Sequence, residues 1–147
     1  MPGKRRRARI AALKTLFEVD SVGHSADEIL DRQMEDSPLP EDAAQFARDL
    51  VRGVLEHRER LDEIIRKNAP AWPLEQVAAV DRSILRLAIY EIVIDNRVPM
   101  RAAINEAVEL AKKYGDLDSS KFVNGILDKI HKTEVIPQNL KSDLKSA

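Results

Sequence analysis

Leu74-Glu75-Gln76-Val77-Ala78-Ala79-Val80-Asp81-Arg82-Ser83-Ile84-Leu85-Arg86-Leu87-Ala88-Ile89-Tyr90-Glu91-Ile92-Val93-Ile94 is the most apolar stretch of this 147-residue chain. Its apolar positions cover more than one helical face, which predicts a central helix packed on several sides. Arg82, Arg86 and Glu91 interrupt the pattern. Charged side chains are seldom fully buried without partners, so this reading places all three on the strip that reaches the surface.

Helical periodicity extends in both directions from that segment. Upstream, Ile10, Leu13, Leu16 and Phe17 mark a first helix, and Ser25-Ala26-Asp27-Glu28 has the form of a capping box opening a second. Ser37-Pro38-Leu39-Pro40 connects to a third helix with the stripe Phe46, Leu50, Val51, Val54 and Leu55, and a break near His57 separates a fourth carrying Leu61, Ile64 and Ile65. Downstream, Pro99 starts a helix that Tyr114-Gly115 stops. A last helix, capped by Asp118 or Ser119, contains Gly125, which costs roughly 1 kcal/mol against alanine and so suggests a close neighbour. From Thr133 onward the periodicity dissolves. The expected fold is all-α, a single compact domain of about seven helices.

The composition agrees with that expectation. Apolar residues make up 44% and charged residues 33%, with only one Trp, two Tyr and three Phe, which argues against a β-sandwich or a stacking sheet. The chain has no cysteine, which excludes disulfides, thiolate metal sites and thiol nucleophiles and fits a reducing compartment. No apolar run approaches the roughly 18 residues of a membrane span, and the start lacks a signal-peptide pattern. A cytoplasmic protein without a membrane segment is expected.

A net charge of −1 conceals segregation: residues 1–16 carry six basic side chains and no acidic one, whereas residues 24–49 hold eight carboxylates against Arg32 and Arg48. Such asymmetry steers a polyanion to one face. Lys4-Arg5-Arg6-Arg7-Ala8-Arg9 puts five cations at the start of the first helix. There they oppose the macrodipole at about 0.3–1 kcal/mol each, so they make little sense as a stability device and good sense as a phosphate site.

Little else in the sequence points to chemistry. His24, His57 and His131 stand in no metal-binding spacing, and the five glycines form neither a dinucleotide nor a phosphate loop. No metal, cofactor or catalytic residue is expected. Glu106 and Glu109 share a helix face, but dipole complementation by Glu106 and pairing of Glu109 with Lys112 or Lys113 explain them better than acid–base catalysis. Asp118-Ser119-Ser120-Lys121-Phe122-Val123-Asn124-Gly125 gathers hydroxyls, a lysine, an amide and a ring at one helix start. These groups suit RNA phosphates and a splayed base. Phe122 reads equally well as core and Ser119 as a cap.

Arg5-Arg6-Arg7-Ala8-Arg9, Leu85-Arg86-Leu87-Ala88-Ile89-Tyr90-Glu91, Ala103-Ile104-Asn105-Glu106-Ala107-Val108-Glu109-Leu110-Ala111-Lys112 and Lys121-Phe122-Val123-Asn124-Gly125-Ile126-Leu127-Asp128 together resemble the NusB family of bacterial transcription antitermination factors. The resemblance runs over about residues 4–131 and implies a helical RNA-binding domain of two three-helix subdomains over residues 1–132, followed by a flexible tail over 133–147. It implies a non-enzymatic protein that binds boxA RNA as a heterodimer with NusE, a ribosomal small-subunit protein. That pair would serve the antitermination complex on RNA polymerase, notably in ribosomal RNA operons. By the same resemblance Arg5, Arg6, Arg7 and Arg9 would hold phosphates, Asp118, Lys121 and Phe122 would line the RNA surface with Arg86 nearby, and Phe17, Glu75, Asp81 and Arg82 would meet NusE. Phe17 stands where some members carry tyrosine, which keeps the ring and loses the hydroxyl.

Two rivals follow. Some ribosomal RNA cytosine methyltransferases carry a similar helical domain, but this sequence holds neither their cysteine nucleophile nor a Gly-rich cofactor turn. The other is a helical protein that self-associates, as some family members do by homodimerising, and touches RNA incidentally.

Overall fold

The computed structural model describes residues 3–135, and these form seven α-helices and no strand: α1 (Lys4–Val22), α2 (Ala26–Asp36), α3 (Glu41–Glu56), α4 (Arg58–Asn68), α5 (Ala79–Ile89), α6 (Met100–Tyr114) and α7 (Ser119–Ile130). A 3-10 turn at Leu74–Gln76 precedes α5, and π turns follow α5 at Tyr90–Asp95 and α7 at His131–Val135. Helices α1, α2 and α3 pack as one group and α5, α6 and α7 as another, with α1 against α5 joining them and α4 leaning on α5 and α7. One apolar core runs through both groups, and Leu50, Leu61, Ile65, Ile84, Leu85, Ile89, Leu127 and Ile130 are sealed inside it.

The central segment departs from the expected single helix. Val77 and Ala78 are extended, at ψ 134° and 137°, so α5 begins only at Ala79. Arg82 explains the break: its Nη1 donates to the Leu74 and Val77 carbonyls, both at 3.2 Å. At the other end the helix widens by one residue, the Asn96 N–H donating to the Glu91 carbonyl at 3.0 Å before Asn96 turns left-handed at φ 55°. Such π turns often sit where a side chain must be re-aimed, and here Glu91 points into the core.

That orientation corrects the sequence reading of the charged residues. Arg86 and Glu91 do not reach the surface; they are 6% and 2% exposed. Both are buried because each has a charge-bearing partner from another helix, which makes burial tolerable.

Local details also differ. Ser25 occupies the N-cap position of α2 but its side chain makes no capping hydrogen bond, and the same holds for Asp118 at α7. Instead, Ser119 Oγ accepts a hydrogen bond from the Asp116 N–H at 2.8 Å. Gly125 has nothing within 4 Å of where a Cβ would stand; the close approach is at Gly53, where a Cβ would lie 2.0 Å from the Tyr90 ring. Gly23 closes α1 in the left-handed region at φ 71°, a conformation that favours glycine. Of the tail expected from residue 133, positions 133–135 belong to the last π turn, and 136–147 lie outside the described residues. Among the described residues no helix is long and apolar enough to cross a membrane.

Candidate nucleic-acid interface

The arginines of α1 divide by helical geometry, because residues at 3.6 per turn cannot share one face. Arg5 is exposed and its guanidinium lies 4.8 Å from the centre of the Phe46 ring. Arg7 is half-buried and donates to the Pro38 carbonyl, a contact that leaves its charge uncancelled. Among the described residues neither meets a carboxylate. Lys4 is paired with Asp42 and Arg6 with Glu106, to which it donates from Nε at 3.0 Å and Nη2 at 2.9 Å. The hydrogen bond from Arg6 holds the Glu106 carboxyl below its ordinary range, against the opposing effect of burial. A phosphate at Arg6 therefore has to displace a carboxylate, whereas at Arg5 and Arg7 it does not.

Arg9 points the other way. It is 5% exposed and donates from Nε and Nη2 to both Glu91 oxygens at 2.9–3.2 Å. Where a guanidinium free for phosphate was expected, its donors join α1 to the π turn. Arg86 is engaged in the same way. It forks onto Asp62 of α4 at 2.7 and 3.1 Å and stands 3.5 Å from Asp20 of α1, beneath the surface.

Arg82 continues this network, donating to Asp20 at 2.8 Å as well as to the Leu74 and Val77 carbonyls. Its bonds tie the α1 turn that carries exposed Phe17 to the 3-10 turn that carries exposed Glu75. Three of the four residues expected to meet a protein partner are thus drawn to one region, with Arg82 as the tie between the other two. Asp81 is separate. It is 8% exposed and lines a cleft beside α7, its Oδ1 buried without a partner. Burial pushes its carboxyl above the ordinary range despite a hydrogen bond from Ser119, and Asp116 pushes the same way.

That cleft, about 570 Å³, brings Asp118, Lys121 and Phe122 together with Asp81 and Trp72. Phe122 is half-buried and meets Trp72 edge to face, with ring centres 6.1 Å apart. Phe122 packs partly against the core and partly lines the cleft. Trp72, 58% exposed, was missed from the sequence. The available signal was its place in Pro70-Ala71-Trp72-Pro73, where flanking prolines keep a large ring out of any helix interior. Among the described residues no group of His, Asp or Glu is arranged to hold a metal ion.

Two packed three-helix groups, with a cationic helix start on one and an aromatic cleft on the other, define a small all-α protein. The sequence profile of the NusB family matches residues 6–132, and the chain belongs to that family. It is 49% identical over 129 residues to the transcription antitermination protein NusB of Chloroflexus aggregans, covering 86% of each chain. To the corresponding protein of Dehalococcoides mccartyi it is 46% identical over 132 residues, covering 90% of this chain and 92% of that one. Among solved structures, T. maritima NusB superposes with a TM-score of 0.83 at 37% identity, over 91% of this chain and 94% of that one. A structure of the antitermination factors NusB and NusE in complex with dsRNA matches with a TM-score of 0.82 at 31% identity, over 90% of this chain and 98% of that one.

Proposed function

We propose that this protein is a cytoplasmic transcription antitermination factor that binds boxA RNA together with NusE and serves the antitermination complex on RNA polymerase, notably in ribosomal RNA operons. The observation that carries this reading is the similarity, over nine-tenths of the chain, to a NusB chain solved with NusE and dsRNA. The geometry supports it at two places. Arg5 and Arg7 hold guanidinium charges that no described carboxylate cancels, and Lys121, Phe122 and Trp72 set a cation beside two rings. Phosphate oxygens meet the first arrangement and an unstacked base the second.

The protein partner would sit on Phe17 and Glu75, held in place by the Arg82 ties. With a net charge of −1 the chain alone can neutralise few phosphates, so its RNA binding is modest and salt-sensitive, and a basic partner completes the surface. Size-exclusion chromatography with light scattering tests the assembly: a complex of one copy each with NusE, enlarged by boxA RNA, is expected. A stable homodimer unaffected by NusE would favour the self-association reading instead.

A further inference from the structure

Helices α1 and α6 point the same way on either side of a cleft: Arg6 forks onto Glu106, Ile10 and Leu110 line the cleft, and Lys14 stands 5.9 Å from the centre of the Tyr114 ring. Two clefts open beside Ile10, and they differ in charge. The first, about 500 Å³, sets Arg6, Lys112 and Lys113 against Glu106 and Glu109, with ion pairs from Arg6 to Glu106 and from Lys112 to Glu109. The second, about 290 Å³, lies between α1, the C-terminal end of α6 and the α2–α3 connection; Arg7, Lys14 and Lys113 line it around Tyr114, and no carboxylate does. The Lys14 and Lys113 ammonium groups stand 5.9 and 5.3 Å from the centre of the Tyr114 ring. Neither lysine meets a carboxylate among the described residues.

Arg7, Lys14 and Lys113 line this cleft with no carboxylate among its lining residues, and the two lysines flank the Tyr114 ring, so like charges face one another there. An anion in the cleft would relieve their repulsion. An aromatic face flanked by two ammonium groups matches the alternation of base and phosphate along a single strand, because a ring stacks on any base while lysines neutralise the neighbouring phosphates. An acidic peptide supplies the charge but nothing for the ring. Arg7 forms one wall, so the cleft continues from the exposed end of α1; Lys14 lies roughly 10 Å further along the helix at 1.5 Å per residue.

We propose that the Lys14, Lys113 and Tyr114 cleft is a subsite for single-stranded RNA, in which the two lysines hold phosphates and the tyrosine ring supports a base. This rests on the RNA-binding reading above and assigns to the strand a path that reading does not include.

The test is fluorescence anisotropy of the full chain with a single-stranded RNA that carries boxA and several flanking nucleotides on each side, at a series of salt concentrations. Lys14→Gln with Lys113→Gln should weaken binding and lower the slope of log K against log[salt] by about 1.4, from about 0.7 per phosphate on a single strand. Tyr114→Leu should weaken binding at an unchanged slope, and Tyr114→Phe should restore it; thermal melts of each variant exclude a folding defect. If the double variant binds this RNA with the affinity and slope of the unaltered protein, the subsite is wrong. If the unaltered protein fails to bind it at all, the RNA reading itself falls, and the subsite with it. A polyglutamate peptide that binds more tightly than the RNA, and does so through Lys14 and Lys113, would overturn the proposal in favour of a protein ligand.

Discussion

Arg9 and Glu91, 82 positions apart in sequence, close a bidentate ion pair at 2.9–3.2 Å with side chains only 6% and 2% exposed. This pair fastens the first helix to the π turn after α5, and so fixes where the exposed arginines on the preceding turn point. Removing one partner strands the other charge in the core, which costs about 3–5 kcal/mol, whereas replacing both with apolar groups of similar volume is often neutral or better. Arg9→Met and Glu91→Leu should each lower stability in urea denaturation by that amount, and the double variant should recover most of it. Equal losses in all three variants would show that the site depends on shape rather than charge.

Gly53 of α3 faces the Tyr90 ring so closely that a Cβ would stand 2.0 Å from it. The ring lies in the buried seam between the two helix groups and cannot move freely. Gly53→Ala should therefore destabilise the protein by about 1–3 kcal/mol through overpacking, although alanine favours a helix more than glycine does. Thermal denaturation decides between them: a raised Tm would mean that the seam yields.

Two carboxyls respond oppositely to pH. Burial raises the Asp20 carboxyl, but the hydrogen bond from Arg82 and the charges of Arg86, Arg82 and Arg58 outweigh it and hold the group below its ordinary range. Folded Asp20 therefore gives up its proton more readily than unfolded Asp20; its stabilisation is present above the unfolded value, about 3.9, and is lost as pH falls through the lower folded value. Asp81, raised chiefly by burial, weakens the fold at neutral pH and ceases to do so as pH falls through its raised value. Asp20→Asn should lower Tm at pH 7 and Asp81→Asn should raise it, with both differences shrinking in acid. Melts from pH 3 to pH 7 would refute this if Asp81→Asn lost as much at pH 7 as Asp20→Asn.

Arg5 and Arg7 should behave as phosphate contacts that the fold needs for no ion pair. Each changed to alanine should reduce the salt slope for boxA RNA by about 0.7 and lower stability by no more than the about 0.5–1.5 kcal/mol of one hydrogen bond or ring contact. Arg9→Met, by contrast, should lower Tm while leaving the slope of the folded protein in place. A salt slope that fell with Arg9 and not with Arg5 or Arg7 would reverse the assignment made from their partners.

The helices were legible because each carries a 3.6-residue apolar stripe, as in Phe46, Leu50, Val51 and Val54, and because Pro40, Pro99 and Gly115 stand near their ends. What periodicity could not show was pairing across the chain. Arg9, Arg86 and Glu91 look like surface charges until their partners on other helices are known, since a pattern along one helix says nothing about the helix it meets. Gly125 and Gly53 make the same point: both sit inside helices, and only the packed neighbour, Tyr90, tells which one is obligatory. At the candidate interface Arg5, Arg7, Lys121 and Phe122 were visible as cations and a ring at helix starts. Trp72 and Asp81 joined them only when the turn before α5 was seen to fold against α7.

Selective RNA binding assisted by NusE is the property on which the proposed role rests. The direct measurement is fluorescence anisotropy of this protein with boxA RNA and with a scrambled RNA of equal length, each titrated with and without NusE at two salt concentrations. An antitermination factor of this kind should bind boxA more tightly than the scrambled strand, gain further with NusE, and weaken on both RNAs as salt rises. Equal weak binding to the two RNAs, unchanged by NusE, would contradict it.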